Sequence, residues 1–166
     1  MELICLDTHV LIWGIQEVST PNRSQMIPKA KAFLTSLDLG DDQGLVPSVV
    51  VAELLLSVPP EVHTAFTTRL GGYFSTPPFD LKAATIFAQI CQAKKESRII
   101  EDLQQNLDAT RTELRADCMI VATAIAQNAG YIISHDAKLK RFAEGYISVY
   151  EIPDVVEGPE FREESV

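Results

Sequence analysis

Two short, unbroken apolar runs, each followed closely by an acid, constrain this chain more than any other feature. Leu3-Ile4-Cys5-Leu6 leads into Asp7, and Tyr131-Ile132-Ile133-Ser134 leads through His135 into Asp136. A strand with one wetted face alternates apolar and polar residues, whereas a run apolar throughout fits a strand covered on both faces, as in parallel sheets. Parallel strands need crossover connections, usually helices. The segment before the second run supplies one. Cys118, Val121, Ala122, Ile125 and Ala129 recur at helical spacing on one face, with Asp117 expected near the helix N-terminus and Gly130 as its stop. The partial positive charge of a helix start favours a carboxylate there. Open parallel sheets bind ligands beyond the carboxyl ends of their strands, where Asp7 and Asp136 fall.

The rest of the chain continues the alternation. Val10 to Ile15 is a helical stretch, Pro21 breaks it, and Ile27, Ala30, Lys31, Leu34 and Leu37 mark a second helix. Leu45-Val46 is a very short strand, after which Ser48 is placed to cap a helix over Val49 to Leu56. Further helices are expected over Glu61 to Leu70, ended by Gly71-Gly72, and over Leu81 to Ala93 and Ile99 to Ala109. Another begins at Thr110, whose spacing to Glu113 is that of a capping box. Tyr73 to Phe79, broken by Pro77-Pro78, is at best a short edge strand. A helix over Ala137 to Ala143 and a strand over Ile147 to Ile152 close the pattern. Strands separated by helices give a mainly parallel sheet with helices on both faces, so the fold class is α/β.

At 166 residues the chain predicts one domain, residues 1–152, followed by an acidic C-terminal tail, 153–166. Its apolar runs are far shorter than the ~20 residues that span a bilayer, and the Met1-Glu2-Leu3-Ile4 start has no basic n-region, which points to a cytoplasmic protein without a membrane partner. Cys5, Cys91 and Cys118 are scattered, as are His9, His63 and His135; that disfavours zinc and disulfides. The formal charge of −9 argues against holding nucleic acid by general electrostatics. Local phosphate contacts remain open to small basic groups such as Lys94, Lys95 and Arg98, or Lys138, Lys140 and Arg141. The apolar residues Leu54-Leu55-Leu56 and Phe66 to Leu70 suggest a homodimer surface.

Four acids stand where a solvated charge is not expected. Asp7 and Asp136 end strands, Asp117 lies in an apolar helix, and Glu53 sits between Val49-Val50-Val51-Ala52 and Leu54-Leu55-Leu56. Buried carboxylates are costly unless paired or coordinated. Singly, each has an ordinary account as turn former or helix-dipole partner. Together at one sheet edge they would repel one another unless a divalent cation balanced them, and an all-oxygen site suits Mg2+ or Mn2+. Such an ion makes water an available nucleophile.

On these residues the chain resembles the PIN-domain ribonucleases, and among them the small VapC-like toxin components of type II toxin–antitoxin pairs. The likeness runs from Leu3 to about Tyr150. It rests on Leu6-Asp7-Thr8 with the following Val10-Leu11-Ile12-Trp13, on Val51-Ala52-Glu53-Leu54, on Ala116-Asp117 with Ile120-Val121-Ala122-Thr123-Ala124, and on Ile133-Ser134-His135-Asp136. The resemblance implies a three-layer α/β/α sandwich around a parallel sheet of about five strands, and Mg2+- or Mn2+-dependent hydrolysis of RNA phosphodiester bonds. It also implies an antitoxin protein as partner. By the same resemblance Asp7, Glu53 and Asp117 are the catalytic, metal-binding acids, Asp136 is the fourth and more variable one, and Thr8 and Ser134 are polar helpers toward substrate. Ser97 to Thr110 is an extra stretch relative to smaller members.

Two rival readings are available. A phosphatase-like phosphohydrolase with Asp7 as nucleophile requires Asp-x-Asp, and Asp7-Thr8-His9 lacks the second acid. A catalytically inactive PIN-like interaction module has no use for a complete set of four acids.

Overall fold

The computed structural model of the chain describes residues 1–154. Its sheet contains β1 (Leu3–Leu6), β2 (Gln43–Leu45), β3 (Tyr131–Ile133) and β4 (Ser148–Tyr150), all parallel, in the order β2-β1-β3-β4. Successive residues of a strand face opposite sides of the sheet. Ile4, Cys5 and Leu6 are each no more than 1% exposed, so β1 is covered on both faces, as its composition requires. The described residues thus form four strands, one fewer than expected. The anticipated edge strand at Tyr73 to Phe79 is reduced to a single parallel bridge between Leu45 and Ser75. Pro77 and Pro78, which have no N–H to donate, leave it no room to extend.

Around the sheet lie α1 (Thr8–Leu11), continued by a π-helical turn at Ile12–Gln16, then α2 (Met26–Leu39), α3 (Ser48–Leu55) and α4 (His63–Tyr73). They are followed by α5 (Leu81–Glu96), α6 (Ile99–Asn106), α7 (Arg111–Ala126) and α8 (Ala137–Ala143). The extra stretch contributes α6, anchored by Leu103 in the core. The hydrophobic core is continuous from Ile4 to Ile152. Among the described residues no helix is long and apolar enough to cross a membrane.

Several local expectations change. Helix α3 begins at Ser48, but Pro47 is its N-cap residue and no side chain caps it. Helix α4 runs through Gly71-Gly72 to Tyr73, because neither glycine adopts the left-handed conformation that would end it. Helix α7 ends before Gly130; Asn128 takes the left-handed turn at φ 58°, and Gly130 N–H donates to the Leu3 carbonyl at 2.9 Å. Cys91 and Cys118, distant in sequence, meet across α5 and α7 with sulfurs 3.2 Å apart and both thiols free. Lys94 is not a surface cation. It is 5% exposed, its Nζ donates to the Glu144 carbonyl at 2.8 Å, and it lies 5.3 Å from the Tyr146 ring centroid. The apolar segment proposed for a homodimer is partly core: Leu54 and Leu70 are buried, while Leu56 is exposed. Most of the acidic tail, from residue 155 on, lies outside the described residues.

Helix α7 begins with a complete capping box, Thr110 N–H to Glu113 Oε2 at 2.7 Å and Glu113 N–H to Thr110 Oγ1 at 3.2 Å. Thr110→Ala removes one of its two bonds. The expected loss is about 1 kcal/mol of unfolding free energy, read as a lower urea midpoint with an unchanged slope; an unaltered midpoint would show that packing alone sets this helix start.

Candidate active site

The carboxyl ends of β1 and β3 are adjacent because the two strands pair, and the acids that follow them arrive together. Asp7 N–H continues the ladder to the Ile133 carbonyl at 3.1 Å, and the residue then serves as N-cap of α1. Its side chain is 5% exposed. Oδ1 accepts from Thr8 N–H at 2.7 Å and Oδ2 from Ser134 Oγ at 2.6 Å. Burial pushes the Asp7 carboxyl above its ordinary value, against the opposing effect of the Ser134 hydroxyl. Ser134, 2% exposed, also accepts through Oγ from Asp136 N–H at 3.0 Å. Asp136 in turn caps α8, its Oδ1 accepting from Lys138 N–H at 2.7 Å.

Glu53 reaches this edge from α3. It is half-buried, not enclosed as its apolar neighbours in sequence suggested, and it accepts a hydrogen bond from Thr8 Oγ1. That hydroxyl is the partner a glutamate in this setting needs.

Asp117 is placed differently from the sequence expectation. It is the seventh residue of α7, beyond the first turn, where the helix dipole no longer supports a charge. It is 9% exposed, and its Oδ2 is buried without a hydrogen-bond partner among the described residues. Burial, followed by the negative charges of Asp136, Asp7 and Glu53, pushes its carboxyl up to about 8, with Lys138 acting in the opposite sense. Those charges place all four acids in one electrostatic neighbourhood. They do not yet close on one point: among the described residues, no three His, Cys, Asp or Glu side chains converge closely enough to hold a metal ion. Asp7 and Glu53 are turned onto hydroxyls instead.

Lys138 Nζ lies 3.1 Å from Glu113 Oε1. The Thr110 N–H and this lysine hold the Glu113 carboxyl down at about 2. The sequence marked Lys138 only as one of a basic trio and Glu113 only as a capping residue; its position two residues after Asp136 was the available signal for Lys138.

A family model described as the PIN domain matches residues 4–145. The chain belongs to the PIN domain family. Similar solved chains come from the VapBC2 complex of Rickettsia felis, bound to a DNA fragment from their promoter (17% identity over 91% of this chain and 99% of that one, TM-score 0.62), and from VapBC-1 of nontypeable Haemophilus influenzae (17%, 90% and 97%, TM-score 0.58). A third comes from DNA-bound VapBC of Salmonella typhimurium (16% identity over 92% of this chain and 100% of that one, TM-score 0.56). At these identities the likeness concerns the fold. No curated protein matches the chain by sequence.

In this PIN domain Asp117 carries a pH dependence whose sign follows from its burial. The folded chain keeps the Asp117 proton up to about pH 8, whereas an unfolded aspartate, with an ordinary value of 3.8, releases it well below that. Between those limits the unfolded state binds fewer protons, so Asp117 makes unfolding easier as pH rises. In chelator, urea denaturation at a series of pH values is expected to show stability falling from pH 5 to pH 8, with a shallower fall in Asp117→Asn. Equal slopes in the two proteins would refute the assignment.

Proposed function

We propose that the protein is a metal-dependent endoribonuclease that hydrolyses RNA phosphodiester bonds as the toxin of a toxin–antitoxin pair, acting in the cytoplasm. The observation that carries this reading is Asp117: a buried carboxyl with an unpartnered oxygen, raised by three neighbouring acids. Among the described residues no polar partner satisfies that oxygen, and a divalent cation would offset the repulsion that opposes its ionisation and occupy the open position in its bonding. The donor set is all oxygen, which suits Mg2+ or Mn2+. Asp7, Glu53, Asp117 and Asp136 would hold the ion, directly or through water. When bound, it supplies the positive charge that activates water and offsets charge developing on the phosphoryl oxygens.

The chain's own residues prepare that site. Ser134 fixes Asp7, and Thr8 fixes Glu53, so each carboxylate keeps one defined orientation until it is drawn onto a cation. Helix α8 holds Asp136 through Lys138 N–H, and Lys138 Nζ adds a cation at the rim. The toxin assignment draws support from solved chains of similar fold that belong to VapBC complexes. An antitoxin that covers the acids through an inserted arginine would use charge-assisted bonds to the same carboxylates. The open arrangement of the acids favours a second reading, an inactive PIN-like interaction module.

One mutant separates the two. Asp117→Asn preserves shape and cannot ionise against its acidic neighbours, so it should fold with stability equal to or above that of the metal-free wild type. Its RNA cleavage in Mg2+ or Mn2+ should fall by about 100-fold or more, and Asp136→Asn should be hurt less. Cleavage that survives chelator or the folded Asp117→Asn change would sink the mechanism; wild-type protein that cleaves no RNA would favour the module. A separate test concerns the toxin role: expression without a partner is expected to arrest growth. Harmless accumulation of an active enzyme would reject that role while leaving the nuclease intact.

A further inference from the structure

Cys91 of α5 and Cys118 of α7 stand 27 residues apart in sequence, and their sulfurs meet at 3.2 Å. The contact is directional. Cys118 Sγ accepts from the Cys91 thiol and donates its own S–H to the Phe87 carbonyl at 3.6 Å. A disulfide holds its sulfurs about 2.05 Å apart, so closing this pair asks for a movement of about 1 Å. The two thiols differ in access. Cys118 is fully buried, and burial pushes its thiol well above the ordinary value. Cys91 is only partly covered, and the residues that follow it, Gln92 and Ala93, are exposed. The third thiol, Cys5, is enclosed in β1 between β2 and β3.

We infer that Cys91 and Cys118 form a reversible oxidation site, which reacts with a small aliphatic disulfide and closes to an intramolecular disulfide that staples α5 to α7. The site is separate from the ribonuclease reading and stands without it. The Cys91 thiol gives its proton to water and its sulfur attacks the small disulfide; one half of the reagent departs, takes up a proton from water, and leaves a mixed disulfide on Cys91. Cys118 Sγ then attacks the Cys91 sulfur. The second half of the reagent leaves as a thiol carrying the Cys118 proton, and the Cys91–Cys118 bond remains. Two protein thiols are oxidised, and one reagent disulfide is reduced to two thiols. The division of roles follows burial, because the partly covered sulfur meets the reagent and the enclosed one resolves the adduct. Position gives the bond its effect. The loop it closes contains the extra stretch with α6, and Cys118 directly follows Asp117, so the turn of α7 that carries this acid is tied to α5. Disulfides that form in a reducing compartment are transient or redox-sensing, and a pair that reopens under a dithiol is of that kind.

The full-length protein is incubated with oxidised glutathione in mildly alkaline buffer, quenched in acid, and followed by intact mass, peptide mapping and thermal melting. Expected are the loss of two hydrogens with no glutathione retained, a crosslinked Cys91–Cys118 peptide, and Cys5 as the one thiol of three left free. The melting temperature should rise by about 5–10 °C, and dithiothreitol should reverse every change. Cys91→Ser should show neither crosslink nor shift, and Cys118→Ser should stop at a lasting glutathione adduct on Cys91. A lasting adduct on the wild type overturns the site, as does a wild type in which Cys91 and Cys118 stay reduced. A crosslink that leaves the melting temperature where it was overturns the staple. If Cys118→Ser does not fold, the wild type compared with Cys91→Ser decides the matter alone.

Discussion

One hydroxyl holds the functional edge of this molecule together. Ser134 Oγ donates to Asp7 Oδ2 and accepts from Asp136 N–H, and it thereby joins the end of β1, the end of β3 and the start of α8. Without it, Asp7 would be a buried carboxylate supported only by the Thr8 N–H, and such a group costs more to bury than one hydrogen bond returns. The parallel pairing of β1 with β3 brings the two residues to the same place, and the serine makes the meeting tolerable.

The same edge is under electrostatic load. Four carboxylates share it, two are partnered by hydroxyls, one caps a helix, and Asp117 is left with an oxygen that has no hydrogen-bond partner among the described residues. A fold optimised only for stability would place an amide or an apolar group at Asp117. Keeping the acid there raises the energy of the metal-free molecule, and that energy is available to whatever cation or basic group enters. Lys138, tied to Glu113 at the helix start, is the fold's own partial answer to this load.

Much of this was legible in the residues themselves. The unbroken apolar runs at Leu3 and Tyr131 gave parallel strands covered on both faces, and Thr110 with Glu113 announced the start of α7. The four acids were distinguishable because their neighbours in sequence are apolar. What could not be read was placement across the chain. Nothing near Glu53 in sequence indicates that Thr8 is its partner, and nothing near Cys91 indicates that Cys118 lies beside it. Gly130 looked like a helix stop because glycine takes that role readily, yet Asn128 takes it, as asparagine tolerates the left-handed conformation. The proline pair at Pro77-Pro78 foretold a weak edge strand, and pairing there shrank to one bridge.

The order of strands also governs time. β1 precedes β2 and β3 in the chain and lies between them in the sheet, while Asp7 and Ser134 are separated by 127 residues of chain. At the roughly 5–20 residues per second of synthesis, Asp7 precedes its partner by on the order of ten seconds. During that interval β1 has β2 on one side and an open edge on the other, and the carboxylates have no common site. Whatever chemistry the acids perform is therefore withheld from the growing chain until β3 has been made, so a chain truncated before β3 cannot assemble this edge.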